Sequence, residues 1–454
     1  MKLTKSTALL LTATMLLVST AFTSCKNQEN IDSHDPFDTT LPSVDDHSLL
    51  NQSNSTYDPA ESNGELKMYS TVKYKGVARY GDLCVDDTLR YYAFSEPEQI
   101  SNETPLCFDP LCKHLYDGTC QGRINGYYGE YPTFVFFDLY DHANEGVLYI
   151  GYKQTNSISA NGEEIERAND YCFERYDLST GKREVIVNNL KNTVVDMCTY
   201  GDYIYFVENT TAKTVSLCRV HKSGSSVERL DSFLASSIEI LEIHEGTIYF
   251  TVDEKTLYSC SVKLDQPKKC IDLQDLCGDE GEQGVFQFIT GGYLYYFANY
   301  ETVSATAPNG TTWSETDTKC DCFRVPLSDF SVKPEKIVED MVSSMNLYYA
   351  FTENVLYYQP MVYRCVPKKD DFAISISDGQ LIAMDLNTLE SKVVAEKTGL
   401  TIMIHAAYDD TVLFGGHWYD EAAEELSGEG QNQLIGYSNG APYKMWISYN
   451  GFVA

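Results

Sequence analysis

A short strand pattern recurs along this chain, and nothing else in the sequence constrains its fold as much. A Gly or Asp turn precedes a strand ending in aromatics. A variable loop follows, then a second strand resembling "L-x-R-V/Y-D-L". The copies are "NEGVLYI" from Asn144, "YGDYIYF" from Tyr200, "HEGTIYF" from His244, "TGGYLYYF" from Thr290, "TENVLYY" from Thr352 and "YDDTVLFGGHWY" from Tyr408. "YGDLCVDDTLRYYAF" from Tyr80 is a divergent first copy. The aromatic strands start near 83, 147, 203, 248, 293, 355 and 412, and the tightest spacing is 45 residues. A period of about 40–50 residues carrying four strands marks a β-propeller.

The physics agrees with that reading. Alternation of Tyr203, Tyr205 and Val207 turns one strand face inward. The 34 tyrosines suit pleated, half-buried strands. "STGK" at 179–182 and "KSGS" at 222–225 read as tight turns between strands. One four-stranded blade cannot bury both of its faces, and radial stacking buries them while leaving short edges. The expected fold is therefore all-β, a single propeller of four-stranded blades. Seven blades are expected, with six and eight as the neighbouring counts. The last unit stops at Ala454, so either the ring borrows a closing strand from the region near 66–80, for which "MYSTVKYKGVARY" from Met68 is the candidate, or the chain ends early.

The N-terminus gives an address. Lys2 and Lys5 precede an uncharged, apolar run from Ser6 to Ser24, which ends in Phe22-Thr23-Ser24-Cys25. That is the layout of a secretory signal, and the run is too short and too rich in Thr and Ser for a membrane span. A small residue followed by cysteine resembles the lipobox of bacterial lipoproteins, although Phe22 stands where Leu is usual. The resemblance implies a signal over 1–24, lipid on Cys25, and an exported protein anchored to the outer face of the cell membrane. The competing reading is an ordinary signal peptide that leaves Cys25 free. Residues 25–65 are rich in Asn, Asp, Ser, Thr and Pro, cannot bury enough surface to fold, and read as a disordered tether. The propeller body is expected over 66–454.

Charge limits the partners. Without Lys2 and Lys5 the balance is 32 basic against 66 acidic residues. Phosphate binding needs the opposite balance, so nucleic acid is not expected as a partner. An acidic body does not lie on anionic lipid either, so the membrane is expected to be met only through Cys25. Self-repulsion favours a soluble monomer.

Residues 104–120 read "TPLCFDPLCKHLYDGTC", which places Cys107, Cys112, His114 and Cys120 within fourteen positions. Asp109-Pro110 forces a turn between the first two cysteines. Three thiolates and an imidazole make a zinc-type donor set, at looser spacing than zinc knuckles use. A disulfide, Cys107–Cys120 or Cys112–Cys120, and free thiols are the other readings. Cys172, Cys198, Cys218, Cys260, Cys320 and Cys322 fall in strand patterns and are expected in the core. Cys270 and Cys277 flank an acidic loop and are a candidate pair. With the segment at 107–120 in view, the chain resembles uncharacterised exported lipoproteins of Gram-positive anaerobes. Those carry "Cys-x-Asp-Pro-Leu-Cys-x-His" ahead of a tyrosine-rich propeller likened to the low-density-lipoprotein-receptor type. The resemblance implies membership and little about activity.

No His-Glu-x-x-His, Gly-x-Ser-x-Gly or phosphate-loop motif is present, and "NGTTW" at 309–313 echoes a sialidase box once, without its Asp. No catalytic residue is assigned. The long inserts fall at 153–170, 299–319, 363–379 and 419–442, and a shared face would make them a rim. Tyr300, Trp313, Trp418 and Tyr419 are the rim's candidate stacking residues for a glycan, peptide or protein. The expected function is a surface-tethered binding module. A polysaccharide hydrolase or lyase using funnel carboxylates is the first alternative, and an envelope-assembly scaffold is the second.

Overall fold

The computed structural model describes residues 66–72, 75–86, 91–93, 106–109, 111–112, 135–137, 146–153, 171–211, 213–224, 226–230, 233, 235–277, 284–343, 348–367, 372–375, 380–396, 400–408, 411–418, 444–448 and 451–452. The chain divides into two units, Met1–Asn54 and Ser55–Ala454, and every described residue belongs to the second.

Among the described residues, strands form seven four-stranded antiparallel sheets and one two-stranded hairpin. The first sheet holds β1 (Leu66–Val72), β2 (Lys75–Tyr80), β3 (Leu83–Asp86) and β4 (Tyr91–Ala93). The second holds β5 (Val135–Phe137), β6 (Val147–Lys153), β7 (Tyr171–Asp177) and β8 (Lys182–Leu190). The third holds β9 (Thr193–Tyr200), β10 (Tyr203–Thr211), β11 (Thr214–His221) and β12 (Glu228–Arg229). The fourth holds β13 (Ile238–His244), β14 (Thr247–Val252), β15 (Thr256–Ser261) and β16 (Lys268–Asp272). The fifth holds β17 (Val285–Thr290), β18 (Tyr293–Thr306), β19 (Thr312–Pro326) and β20 (Glu335–Val342). The sixth holds β21 (Tyr349–Phe351), β22 (Val355–Tyr358), β25 (Gln380–Asp385) and β26 (Ser391–Glu396), with the hairpin β23 (Arg364–Pro367) and β24 (Phe372–Ser375) inserted after β22. The seventh holds β27 (Leu400–Tyr408), β28 (Thr411–Trp418), β29 (Lys444–Ser448) and β30 (Gly451–Phe452).

In several sheets the first two strands are joined by very tight turns. His244 pairs with Thr247 across Glu245 and Gly246, whose φ angles are 47° and 75°. Thr290 pairs with Tyr293 across Gly291 and Gly292, at 56° and 76°. Two consecutive positive φ values match the twist of the flanking strands, which is why Gly recurs there.

Sheets pack face to face in chain order through six buried groups. Val85 and Leu83 of the first sheet meet Leu148 and Ile150 of the second. Phe173 of the second meets Phe206 of the third, ring centroids 4.9 Å apart and edge to face. Tyr205 and Val207 share a group with Ile248 and Phe250. Leu241 and Leu257 join Phe286 and Leu294. Tyr295 and Phe297 join Tyr349 and Phe351. Ala350 and Tyr357 join Ile404 and Phe414. The seventh contact is made by β1 and β2 lying against β27. Consecutive stacking that returns to its start is the radial arrangement of a β-propeller. Fully burying one such Phe is worth about 1.5–3 kcal/mol, so each sheet is held mainly by its neighbours.

Three expectations need correction. The aromatic strand taken as the first of each unit is the second of its sheet, as β6, β10, β14, β18, β22 and β28 show. The segment from Met68 does not complete the last sheet, which draws all four strands from residues 400–452. Instead that segment supplies β1 and β2 of the first sheet, and Leu83 falls on a third strand. Turn geometry explains the offset. Tyr80 pairs with Leu83 across Gly81 (φ 61°) just as Tyr200 pairs with Tyr203 across Gly201 (φ 55°). So β2 and β3 match β9 and β10, and β1 is an added strand on their inner side, lying against β27 and β21.

Candidate functional site

Antiparallel order gives each sheet two ends. In the second to seventh sheets, connections from first to second and from third to fourth strands lie at one end, the turn end, and those from second to third strands lie at the other, the insert end; the first sheet, with its added β1, is shifted by one strand. The four long inserts follow β6, β18, β22 and β28. Each of these is the second strand of its sheet, so all four leave from the insert end.

The insert at 299–319 is not a loop. It is a hairpin arm in which β18 and β19 run on past the rest of their sheet, with Val303 opposite Glu315, Ser304 opposite Ser314, Ala305 opposite Trp313 and Thr306 opposite Thr312. Ala305 and Ala307 are buried on the arm's underside. Part of the insert at 363–379 is likewise a hairpin, β23 with β24, and β23 lies against β18. Of the expected stacking residues, Tyr300 is half-buried against the core between the fifth and sixth sheets, which fits a packing role. Trp313 is 50% exposed on the arm. Trp418 ends β28 at the insert end, opposite Leu400. Tyr419 lies outside the described residues.

The cysteine-rich segment lies at the opposite end. Leu106 is buried in the core between the first and second sheets. Its carbonyl accepts a hydrogen bond from Tyr176 Oη at 3.1 Å. Phe108 packs edge-on against Tyr176, and a Cβ on Gly181, in the β7–β8 turn, would come within 2.9 Å of the Phe108 ring. Asp109 then turns the chain: its Oδ1 accepts from Leu111 N at 2.9 Å and its carbonyl from Cys112 N at 3.1 Å. Cys107 is buried and Cys112 is half-buried. His114 and Cys120 lie outside the described residues, and among the described residues no three His, Cys, Asp or Glu side chains form a metal-binding group. Cys270 and Cys277, the other candidate pair, are separate thiols.

Several buried carboxylates escaped the sequence reading; Glu208, Glu174 and Asp321 are paired with a cation of their own sheet, and Asp196 bonds across to the next sheet. Glu208, fully buried, accepts from Arg229 Nε at 2.9 Å and from Asn192 Nδ2 at 3.1 Å. Glu174 accepts from Arg183 Nε at 2.8 Å. Asp321 accepts from Asn299 Nδ2 at 2.8 Å and Asp340 N at 3.2 Å, with Lys336 Nζ at 3.3 Å. Asp196 accepts from Ile240 N at 2.6 Å, tying the first strand of the third sheet to that of the fourth. The hydrogen bonds of these acids are spent on holding strands together.

The buried cysteines are equally inert. Cys172, Cys198, Cys218, Cys260, Cys320 and Cys322 are all buried, as expected. Burial pushes Cys260 and Cys320 up to about 12 and moves Cys218 and Cys322 up as well. A thiol held protonated is no nucleophile.

The chain matches no protein family and no curated protein at a significant level. Solved structures do share its outline. An oligogalacturonate lyase in complex with manganese is 9% identical, with a TM-score of 0.42, over 86% of this chain and 94% of that one. An oligogalacturonate lyase from Vibrio parahaemolyticus is 9% identical, with a TM-score of 0.37, over 77% and 87%. TolB from Acinetobacter baumannii is 10% identical, with a TM-score of 0.30, over 55% and 58%. At such identities the likeness concerns fold alone.

Proposed function

We propose that this protein is a lipid-anchored propeller that binds an extracellular glycan, peptide or protein through its insert end. One observation carries the reading: the four inserts that follow β6, β18, β22 and β28 leave their sheets at the same end. A further observation supports it. The added strand β1 takes the inner side of the first sheet and lies against β21 and β27, which occupies space where funnel carboxylates would work. The buried acids on the second, third and fifth sheets are already paired, which speaks against the hydrolase or lyase alternative. The anchor rests on the leader and Cys25.

The binding test uses the chain from residue 26 beside a form in which 300–318 is replaced by a two-residue hairpin turn. Both are screened by thermal shift against glycan and peptide panels. A ligand that raises the melting temperature of the first and not the second supports the reading. Polymer cleavage by the intact chain would replace it with the enzyme alternative. The anchor is tested separately: Cys25→Ala is expected to abolish labelling by a palmitate analogue and release the protein from the membrane fraction.

A further inference from the structure

The arm formed by β18 and β19 carries an unusual surface. Directly opposed residues on antiparallel strands share a face, and so do alternate residues along a strand. Ser304 opposes Ser314 and Thr306 opposes Thr312, so these four point to one side, and Thr302 and Thr316 continue the alternate spacing where the register becomes irregular. All six carry hydroxyls and all six are exposed. The other side bears Val303, Ala305, Ala307, Trp313 and Glu315, of which Ala305 and Ala307 are buried. The run from Thr302 to Ser314 holds no charged residue, in a chain whose net charge is −32. Thr306 and Thr312 bond each other at 2.9 Å and hold the ribbon flat near its tip. Below the row, Thr318 is buried at 5% exposure, so it is out of reach of any macromolecule.

From this we infer that the arm is an acceptor for O-linked sugars at Thr302, Ser304, Thr306, Thr312, Ser314 and Thr316. Four features converge. The hydroxyls are exposed, they cluster, they lie on a ribbon that runs on past its sheet, and the stretch from 302 to 314 is uncharged and mostly small, with Pro308 at its tip, as in O-glycosylated segments. The donor is an activated sugar whose anomeric carbon carries a phosphate leaving group. A side-chain oxygen attacks that carbon, the new C–O bond forms, and the carbon–oxygen bond to phosphate breaks with its electron pair on the phosphate. The hydroxyl proton passes to a base of the transferase. Carbohydrate there would also protect the ribbon. Among the described residues the arm's strands pair with no third strand beyond Lys319; such a ribbon invites proteolysis and edge-to-edge pairing, and bulky neutral substituents block both. The inference does not depend on the anchor or on the binding role.

The test is mass spectrometry of the full chain purified from its native host, with electron-transfer fragmentation of the peptide spanning 284–319. The expected result is one or more sugar masses on residues 302–316 and none on Thr318. A variant with all six residues changed to Ala or Val, expressed in the same host, should lose those masses and be cut in the arm by a broad-specificity protease at least tenfold faster. A native peptide of unmodified mass overturns the proposal, as does sugar found only elsewhere in the chain.

Discussion

Arg219 donates to the carbonyl oxygen of Val262 at 2.6 Å, reaching from the third sheet into the β15–β16 turn of the fourth. Tyr205 Oη donates to the same oxygen at 2.9 Å. Two sheets on, Arg324 donates to Leu386 O at 2.8 Å, again from a strand pair in which Tyr and Arg stand opposite. In both places the guanidinium carbon lies 4.4 Å from a tyrosine ring, Tyr203 or Tyr293, and a fourth-strand glutamate closes the group, Glu228 or Glu335. This tie is a polar stitch between neighbouring sheets.

The stitch sets an expectation for mutants. Arg219→Ala should lower stability by about 1.5–3 kcal/mol, because a charge-assisted bond to a half-buried carbonyl is lost. Arg219→Lys should recover only part of it, since the planar fork that serves carbonyl, ring and carboxylate together is gone. Glu228→Gln should cost under about 1 kcal/mol, because that side chain is half exposed. Urea unfolding of the three variants checks the ranking, and equal losses would remove the stitch as a stabilising unit.

Gly224 offers a second test. Its φ is 79° and an added Cβ would lie 2.8 Å from Ile186 O, a backbone atom of β8 that cannot swing aside. Gly224→Ala should therefore cost more than about 2 kcal/mol, combining strain and a clash. Gly201→Ala, with φ 55° and open space around the new carbon, should cost about 1 kcal/mol. Thermal melts of the pair should separate them by several degrees.

Alkali should unfold the protein. Burial raises Cys260, Cys320, Tyr205 and Tyr348 to about 12, above the ordinary 9 for a thiol and 10 for a phenol. The folded state keeps these protons that the unfolded state gives up. Their contribution is full below the unfolded values and declines from about pH 9 toward pH 12. Each thiol removes at most about 1.4 kcal/mol per pH unit above pH 9, and each phenol does so only above pH 10. Denaturant midpoints at pH 7, 9 and 10.5 check it, and a flat profile would contradict it.

Thiol labelling should follow exposure. In native protein Cys112, half-buried, should alkylate well before Cys107, which is 6% exposed. Cys320 and Cys322, at or below 1%, should react only after unfolding. Peptide mass mapping over a time course reads the order. Native mass spectrometry of the same sample reads any bound zinc, and its loss in His114→Ala would make 107–120 a metal site.

The ring was legible because its second strands are long, aromatic and preceded by glycine turns. "YIYF" and "YLYYF" leave little doubt about strand or spacing. The first strands were not, since β17, with Gln287 and half-buried Phe288, lacks clean alternation and is interrupted by a bulge. The arm was hidden for another reason. Ser and Thr alternating with Ala and Val carry a period of two only when one sees which side is buried, and composition alone reads them as loop. Arg219 stood out in the repeated "L-x-R-V" pattern, but its partner is a backbone carbonyl 43 residues away, which no residue type announces. The buried acids were invisible for the same reason, as their cations lie on other strands.

The placement of β1 bears on how the chain is made. Its pairing partner β2 follows at once, yet the surfaces it rests against, β21 and β27, begin at residues 349 and 400. During synthesis the earliest strand must wait for nearly the last ones, and contacts so distant in sequence form slowly. Until then the inner edge of the first sheet has no cover and resembles an open strand edge, the kind of surface that aggregates. A chain cut short before the seventh sheet would keep that edge bare for good.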